Sequence, residues 1–513
     1  MSTLIADTVL TEEGAPRVRF AARERRGVFL GLSVSQLAVI AAVVGMLLVT
    51  LFVNVNAIWV MLPVAAVLFF FGVATYRREP VLQIIWQAAR YTYRAFTRQT
   101  QFRRDVWWRV STASLDVGRA HQDAIRPQLV SRFLLPGALG DVHIIQIPGA
   151  GAFVYNARGS LASITLRVSS TAWALRDRGV QRGAYDGFVE WVASLENMPG
   201  LVEATCRIRV DRASTNQLEE YLTTRIDQQH PAVSEELAED YAALIAAAAK
   251  RSMGFTNYVT LTFSTTALNS AIRDGGGGMT GLAAVLKERV AGLEPTIERS
   301  RLTLDSWLDA TDLDDLMAAT SDPVTATHRR ERESLKHRAP ESNQPVMGID
   351  EGWNSLRVDQ SWHQTFWVAE WPRTDVRTGF LEPLLYAGDA TRCITLQVRP
   401  VPIHKALSEV NRAQSDMETA ADIRLRLHSR VTLSHQREME ALNAREEDLV
   451  DGFGDVKIRG FITISAETED ALSRARTEIE QASHPCRLVL ASMAGQQAAG
   501  FVTSTLPVPV EGN

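Results

Sequence analysis

The residues that come closest to a chemical motif are the glycines of one loop. Residues 276–281 read GGGMTG and are followed by Leu282 and Ala283. A phosphate-binding loop has the form GxxxxGK[ST], because its backbone N–H groups surround the phosphates while its lysine and hydroxyl act on the terminal phosphate and on Mg²⁺. Neither the lysine nor the hydroxyl is present here. We therefore interpret this run as a flexible connection and not as a nucleotide site.

Other catalytic patterns are also incomplete. Gly149 and Gly151 follow a predicted strand, but the third glycine of a dinucleotide-binding turn is missing and another strand follows. His428 and His435 share one face of a polar helix, where a solvated position is favoured over a metal pair. The sequence has no HExxH and no GxSxG motif. We predict no catalytic residue, no cofactor and no metal site, and hence a protein that is not an enzyme.

Four tryptophans form a possible interaction surface. They occur in the strand-like segment around VDQSWHQTFWVAEWP, and they are Trp353, Trp362, Trp367 and Trp371. Tryptophan is enriched at protein interfaces, which favours a binding role. Large aromatic residues in a strand-rich segment are also typical of a core. The sequence leaves both interpretations open.

Arginines flank the most apolar part of the chain. No charged side chain occurs from Gly27 to Tyr76, and this span holds the apolar runs 34–53 and 57–74. About 20 helical residues cross a hydrocarbon core of ~30 Å. We therefore expect a transmembrane helical hairpin at residues 27–78, with both termini cytoplasmic because the flanking charge is positive. The alternative, a buried hairpin in a soluble protein, is disfavoured by the complete lack of charge.

The predicted contacts to lipid headgroups are arginines on both sides of this hairpin. Those after it recur every four residues on one helical face, among aromatic side chains typical of a membrane interface. Residues 1–109 carry 13 arginines and 6 acidic residues, whereas the rest of the chain is acidic. Anionic lipid is therefore the favoured partner, ahead of a plain solvated helix and then of nucleic acid. The predicted set is Arg23, Arg25, Arg26, Arg77, Arg78, Arg90, Arg94 and Arg98.

Alternating strand and helix patterns predict an α+β body with mixed or antiparallel sheets behind the anchor. The second unit has the order β–α–β–α–β and is expected to be split ferredoxin-like, with a long helical insertion. We divide the chain into an N-terminal arm (1–26), the hairpin (27–78), a basic aromatic region (79–120), a first α+β domain (121–324), a linker (325–345) and a second α+β domain (346–513). Cys206, Cys393 and Cys486 form no disulfide or metal pattern.

Several short segments resemble known secretion proteins. The arginine-flanked hairpin, which opens with GLSVSQL at residues 31–37, resembles the small PrgI-like and VirB-class membrane subunits of conjugation machines. The body is similar to the N-terminal, non-motor part of VirB/TraC-type secretion ATPases in residues 141–211, in VAEWP (368–372), and in GQQAAGF (495–501) with the following Leu506 and Pro507. The whole resembles an actinobacterial family in which both parts are fused and the motor is a separate chain.

This resemblance implies a non-catalytic inner-membrane subunit of a type IV secretion or conjugative transfer system, which holds a separate hexameric VirB/TraC-type ATPase. The expected partners are that ATPase, other membrane subunits of the transfer complex, further copies of the chain and anionic lipids, without sequence-specific binding of nucleic acid. Two alternatives remain open. One is a membrane component of a type VII secretion system, with a two-helix anchor and a cytoplasmic domain. The other is a membrane-tethered enzyme with an unrecognised site.

Overall fold

A computed structural model describes most of the chain. The described residues are 2–5, 17–20, 34–53, 58–76, 79–103, 128–133, 142–170, 177–212, 253–326, 346–372, 376–426, 433–450 and 455–510. Contacts between Cα atoms divide the chain into two compact units. The first unit, called the body below, comprises residues 1–22, 102–411 and 441–513; the second, called the helical unit, comprises residues 23–101 and 412–440.

The helical unit begins with three helices, α1 (Val34–Val53), α2 (Ile58–Val73) and α3 (Val81–Phe96). α1 and α2 pack closely where Gly72 meets Val39, since a Cβ atom at Gly72 would lie 2.5 Å from the Val39 side chain. Within the described residues, none of the helices combines the length and the apolar character that crossing a bilayer takes.

This finding contradicts our prediction of an N-terminal transmembrane hairpin, and with it the two membrane spans and their orientation. The apolar runs were located correctly, but an apolar run is not a span. α2 has 16 residues, fewer than the ~20 that a hydrocarbon core takes. The helix α2 begins and ends inside the apolar run 57–74, so it is shorter than the run from which the membrane span was predicted.

The strands of the described residues are β1 (Ser2–Ile5), β2 (Arg17–Phe20), β3 (Thr75–Tyr76), β4 (Glu79–Pro80), β5 (Gln101–Arg103), β6 (Gln128–Phe133), β7 (Val142–Gln146), β8 (Ala152–Asn156), β9 (Leu161–Ser170), β10 (Leu201–Arg212), β11 (Met253–Ser264), β12 (Leu302–Trp307), β13 (Gly348–Glu351), β14 (Leu356–Val358), β15 (Ser361–Glu370), β16 (Val376–Arg377), β17 (Thr391–Val401), β18 (Asp455–Ala466) and β19 (Val489–Ser492). The further helices are α4 (Arg178–Ser194), α5 (Asn269–Asp274), α6 (Gly278–Arg299), α7 (Ala310–Ser321), α8 (Glu382–Leu385), α9 (Ile403–Arg426), α10 (Leu433–Val450), α11 (Glu469–Ser483) and α12 (Gln497–Thr505).

One antiparallel sheet forms the centre of the body. Its strands are hydrogen-bonded in the spatial order β6–β7–β8–β9–β11–β10–β17–β18–β15. β12 continues the sheet beside β9, next to β8. In the same way β14 and β19 share the outer edge of β15. The pair β10 and β17 joins the strands β6 to β11 of the sheet to the strands β15 and β18, which come later in the chain.

Helices cover both faces of this sheet. On one face α4, α6 and α11 pack on a large core that includes Ile164, Leu261 and Ile462. On the other face α7 and α12 pack on a smaller core that includes Leu313 and Phe501. Successive side chains of a strand point to opposite faces, so each central strand has one set of residues for each core.

The sequence patterns at residues 141–147, 202–211 and 456–466 predict strands, and these are confirmed as β7, β10 and β18. The predicted split ferredoxin-like unit is wrong. β15 lies between β18 and β19 and pairs with both, while β17 pairs with β10 from the preceding part of the chain. The order of strands along the sequence shows which segments are extended, but strand pairing is decided by long-range packing.

Candidate functional site

The sheet face beneath α7 and α12 is polar at its centre. Its side chains occupy alternate positions of the strands from β9 to β15, and each of them is at least 90% removed from solvent. Buried polar side chains are stable only when they are hydrogen-bonded. We call this set the polar layer. It comprises Ser163, Thr165, Thr205, Arg207, Arg209, Thr260, Thr262, His363, Thr365, Thr395, Gln397, Thr463 and Ser465.

Arg207 binds the C-terminal end of α12. Its Nε donates to the carbonyl of Ser504 at 3.0 Å and its Nη2 to the carbonyl of Leu506 at 2.8 Å. Its Nη1 donates to Oγ1 of Thr260 at 2.7 Å, while Thr395 Oγ1 donates to the Ser504 carbonyl at 2.5 Å. The last carbonyls of a helix lack partners within the helix and carry partial negative charge. A guanidinium at this position satisfies both requirements.

Arg209 and His363 bind the C-terminal end of α7. Arg209 Nη2 donates to the carbonyl of Ala319 at 3.1 Å, and His363 Nε2 lies 2.9 Å from the carbonyl of Ser321. A carbonyl only accepts, so Nε2 carries a proton. Burial lowers the pKa of His363 to about 4, so the ring is neutral at pH 7 and the hydroxyl of Ser465 donates to Nδ1 at 2.8 Å.

Burial determines the protonation of these groups. Desolvation lowers the pKa of His363 to about 4, against the opposing effects of the Ser321 carbonyl and Asp322. Desolvation also lowers the pKa of Arg207, which Cys393 and Glu203 partly offset. Burial raises the pKa of Cys206 to about 12. A protonated thiol is a poor nucleophile, so the cysteine beside the arginine is unreactive in this environment.

The segment after α12 crosses the sheet in extended form. The hydroxyl of Ser163 donates to the Pro507 carbonyl at 2.9 Å, and Asn156 Nδ2 donates to the Pro509 carbonyl at 3.2 Å. Leu506 is fully buried and Val508 is 5% exposed. Proline has no N–H, so this segment takes part in the layer through its carbonyls. The end of α12 is thereby fixed to β8 and β9.

The polar layer leaves almost no free space. The cavity beside Arg207 and Tyr258 has a volume of about 10 Å³, which is room for about one water molecule. Across the described ranges, no group of three His, Cys, Asp or Glu side chains could hold a metal ion. The arrangement is suited to holding two helix ends on a sheet, and it has no space for a substrate.

The arginines predicted to contact lipid lie in two groups. Arg90 and Arg98 are exposed on or just after α3, and Arg94 is half-buried on the same helix. The other five, Arg23, Arg25, Arg26, Arg77 and Arg78, lie outside the described residues. Arg90 and Arg94 lie four residues apart on α3, whereas Arg98 follows the end of the helix at Phe96 and has a positive φ angle. Contact with lipid stays a prediction.

The four tryptophans do not form one exposed surface. Trp371 is buried in the large core, where its ring lies beside Gly460. Trp362 packs against the same core, and the guanidinium of Arg357 lies 5.6 Å from its ring centroid. Trp353 and Trp367 are half-buried. A binding role for these residues stays a prediction, and the position of Trp371 is that of a core residue.

The glycine run is a turn between two helices. Gly276, Gly277 and Gly278 have positive φ angles between α5 and α6, a conformation that glycine adopts without strain. Gly281 permits the close approach of the two helices, because a Cβ atom there would lie 2.0 Å from the carbonyl of Ile272. The packing of α5 on α6 accounts for these glycines.

Sequence reasoning missed the polar layer. A signal was present in the segment TCRIRV of β10, in which Arg207 and Arg209 alternate with apolar residues. Such alternation normally indicates a face in contact with water. Both arginines are instead buried, at 5% and 8% exposure, because α7 and α12 cover this face.

Comparison with known proteins indicates a secretion component. Residues 247–368 match the model of a protein family described as "Putative type VII ESX secretion system translocon, EccE". The matched segment runs from β11 to β15, and it includes Thr260, the end of α7 and His363. No curated protein matches the chain. The resemblance to type IV secretion and conjugation proteins is contradicted by the family match; the short segments that suggested it are too brief to separate two secretion systems.

Proposed function

We propose that this protein is a non-catalytic, membrane-associated structural subunit of a type VII secretion system. The observation that carries the proposal is the match of residues 247–368 to the EccE family model. This was the alternative to our type IV hypothesis, which the match replaces. The expected partners are other components of the same system, including its ATPase, and further copies of the chain.

The polar layer supports a structural role. Its two arginines and its histidine are used to hold helix ends. Catalytic groups need access to a reacting atom in a pocket that a substrate can enter. The space beside Arg207 is about 10 Å³, and a substrate is much larger. A rigid body that presents its outer surface to partners is consistent with this packing.

The helical unit supports association with a membrane surface. Among its most exposed side chains are Phe52 at 88%, Trp59 at 81% and Phe96 at 89%. Residues 81–103 contain four arginines and no acidic residue. Exposed apolar side chains beside arginines are typical of a surface that contacts anionic headgroups. We therefore propose anionic lipid as the partner of α3.

Co-purification tests the assignment to a secretion system. The full chain carries an affinity tag in its own cells, membranes are solubilised in mild detergent, and bound proteins are identified by mass spectrometry. We expect the ATPase and the other membrane components of a type VII system, and loss of secretion of that system's substrates when the gene is deleted. Recovery of conjugation proteins, or normal secretion in the deletion strain, would contradict the proposal.

Two assays on the purified full chain test the remaining claims. We expect no nucleotide hydrolysis above the buffer rate; turnover that follows the protein through purification would favour the enzyme alternative. Flotation with vesicles of phosphatidylglycerol and phosphatidylcholine tests lipid contact. Each arginine near an anionic surface contributes about 1 kcal/mol, so Arg90→Gln with Arg98→Gln should weaken binding about 30-fold. The matched control changes the exposed Arg474 and Arg487 of the body, and it should bind as the parent chain does.

A further inference from the structure

The two halves of the body have the same order of elements. In the first half β8 and β9 form a hairpin, followed by α4, β10, β11, the six-residue helix α5, α6, β12 and α7. In the second half β14 and β15 form a hairpin, followed by the two-residue strand β16, α8, β17, β18, α11, β19 and α12. α8 is a short counterpart of α4, whereas α5 and β16 have no counterpart among the described elements. α9 and α10 lie between β17 and β18; the corresponding residues 213–252 of the first half are outside the described residues. The two halves thus list corresponding elements in the same sequence.

Strand pairing repeats as well. β9 has ten residues; β8 and β12 share one of its edges, and β11 pairs along the other. β15 also has ten residues; β14 and β19 share one edge, and β18 pairs along the other. β11 then pairs with β10, as β18 pairs with β17. The shared order of the main elements and the shared strand pairing in both halves identify one fold that occurs twice.

The side chains of the polar layer follow the same repeat. Thr165, the fifth residue of β9, shares a hydrogen bond of 3.1 Å with Thr260 on β11. Thr365, the fifth residue of β15, shares a hydrogen bond of 2.9 Å with Thr463 on β18. Tyr258 lies two residues before Thr260, and Phe461 lies two residues before Thr463, so these two aromatic residues occupy corresponding positions. Equivalent backbone positions therefore carry equivalent contacts.

Each half also holds the end of the other half's last helix. Ser163, the third residue of β9, binds the Pro507 carbonyl just after α12. His363, the third residue of β15, binds the Ser321 carbonyl at the end of α7. The contacts are reciprocal, because in each case a side chain of one half donates a hydrogen bond to a carbonyl of the other half. Reciprocal contacts of this kind characterise an interface with twofold symmetry.

The seam between the halves is the antiparallel pair β10 and β17, in which Arg207 lies opposite Thr395. Because both residues donate to the Ser504 carbonyl, they occupy one shared space. An antiparallel pair of strands has a local twofold axis between opposed residues. The correspondence of the threonine pairs places this axis between Arg207 and Thr395.

We infer that the body is two copies of one module fused in a single chain. The polar layer and the edge of β10 that pairs with β17 form the interface of the first module, and the partner that fits this interface is a second copy of the module. This inference concerns the architecture and does not depend on the proposed secretion function. It accounts for the reciprocal hydrogen bonds of the polar layer, since direct hydrogen bonds between partners are a regular part of protein interfaces.

The local twofold axis also explains why the two halves carry different residues beside it, Arg207 in the first and Thr395 in the second. A symmetric pair of first modules would place two copies of Arg207 against each other in a buried space, where like charges repel strongly. Thr395 at the corresponding position of the second module avoids this repulsion. Specificity often rests on such a cost in the wrong pairing. The first module therefore fits the second better than it fits its own copy.

Exchanging the two residues across the axis tests the inference in the full chain. Arg207→Thr alone should lower the unfolding temperature, because the Leu506 carbonyl loses its guanidinium donor and the Ser504 carbonyl keeps only the Thr395 hydroxyl. In the double variant Arg207→Thr, Thr395→Arg, the new guanidinium occupies the equivalent position and can reach Thr463 and the end of α7. We expect the double variant to unfold at least about 3 °C above Arg207→Thr, a shift that corresponds to about one recovered buried hydrogen bond.

The matched control is Arg207→Thr, Cys393→Arg, which places the arginine on the same face of β17 but away from the axis. This control should have a lower unfolding temperature than Arg207→Thr. If the exchanged variant is no more stable than Arg207→Thr, or no more stable than this control, the two positions are not equivalent and the inference is wrong.

A second measurement applies even if these variants do not fold. A protease site is inserted into residues 327–345 of the otherwise unchanged chain, and the purified protein is cut in mild detergent. The inference predicts that both fragments elute together in a one-to-one complex and that the unfolding temperature stays within about 3 °C of the uncut chain. Separation of folded fragments would show that the seam is not a self-sufficient interface.

Discussion

His363 provides the sharpest test of the polar layer. Its side chain is fully buried and holds the Ser321 carbonyl and the Ser465 hydroxyl. We consider the variant His363→Gln, whose amide can still donate to the Ser321 carbonyl but cannot reproduce the contact with Ser465. At pH 7 this change should lower the free energy of unfolding by about 1–2 kcal/mol, the usual effect of losing one buried hydrogen bond.

The pH dependence follows from the pKa of His363, which burial lowers to about 4 in the folded chain. The unfolded chain has the ordinary value of about 6.5 and therefore binds the proton more readily. Stability from this residue is fully present above pH 6.5, and it is lost as the pH falls from 6.5 to 4. A tenfold difference in proton affinity corresponds to about 1.4 kcal/mol, so the total loss is about 3 kcal/mol.

The assay is urea unfolding of the full chain, followed by tryptophan fluorescence at pH 7.0, 5.5 and 4.5. His363→Gln should be less stable than the parent chain at pH 7.0 and more stable at pH 4.5, because only the parent chain pays the cost of keeping a neutral imidazole. The matched control is His484→Gln at an exposed position, which should follow the parent chain. A constant difference between parent and His363→Gln at all three pH values would refute the buried neutral imidazole.

Three further changes test the packing by thermal unfolding. Arg392→Met should lower the free energy of unfolding by about 3 kcal/mol, because the buried guanidinium donates to the carbonyl of Leu385 at the end of α8 and to those of Gly388 and Ala390 before β17; the exposed Arg474→Met is its control. Gly281→Ala should lower the unfolding temperature, because the added Cβ would lie 2.0 Å from a backbone carbonyl. Its control is Gly292→Ala on the same helix, where a Cβ meets nothing within 4 Å; this change should raise the free energy of unfolding by up to about 1 kcal/mol. Phe501→Ala should cost about 3–5 kcal/mol, because its ring is buried and lies 4.6 Å from the His363 ring. An unchanged unfolding temperature for Arg392→Met, Gly281→Ala or Phe501→Ala would contradict the packing described for that residue.

The sequence alone determined where regular structure occurs. The segment YVTLTFS at residues 258–264 predicts a strand, and the observed strand β11 runs from Met253 to Ser264. The apolar runs predict α1 and α2 at the correct places. These features follow from local periodicity and from the intrinsic preferences of the residues, and both can be read from neighbouring positions.

The sequence alone did not determine whether the apolar helices span a membrane or which secretion system the short motifs indicate. An uncharged run predicted a transmembrane hairpin, whereas no helix among the described residues has the length and apolarity of a span. Short segments suggested a type IV system, whereas residues 247–368 match a type VII family. Apolar composition and brief motifs are shared by many proteins, so neither fixes an architecture or a system.

Only the tertiary structure decided the role of the charged and polar residues in the strands. Arg207 alternates with apolar neighbours as a solvated residue would, but α12 covers it and its guanidinium binds carbonyls there. Ser163 and His363 are dissimilar residues, and only their equivalent positions in β9 and β15 relate them. The pairing of strands distant in sequence creates these relations. Local sequence specifies the periodicity of each strand, whereas long-range pairing determines which buried carbonyl its side chains must satisfy.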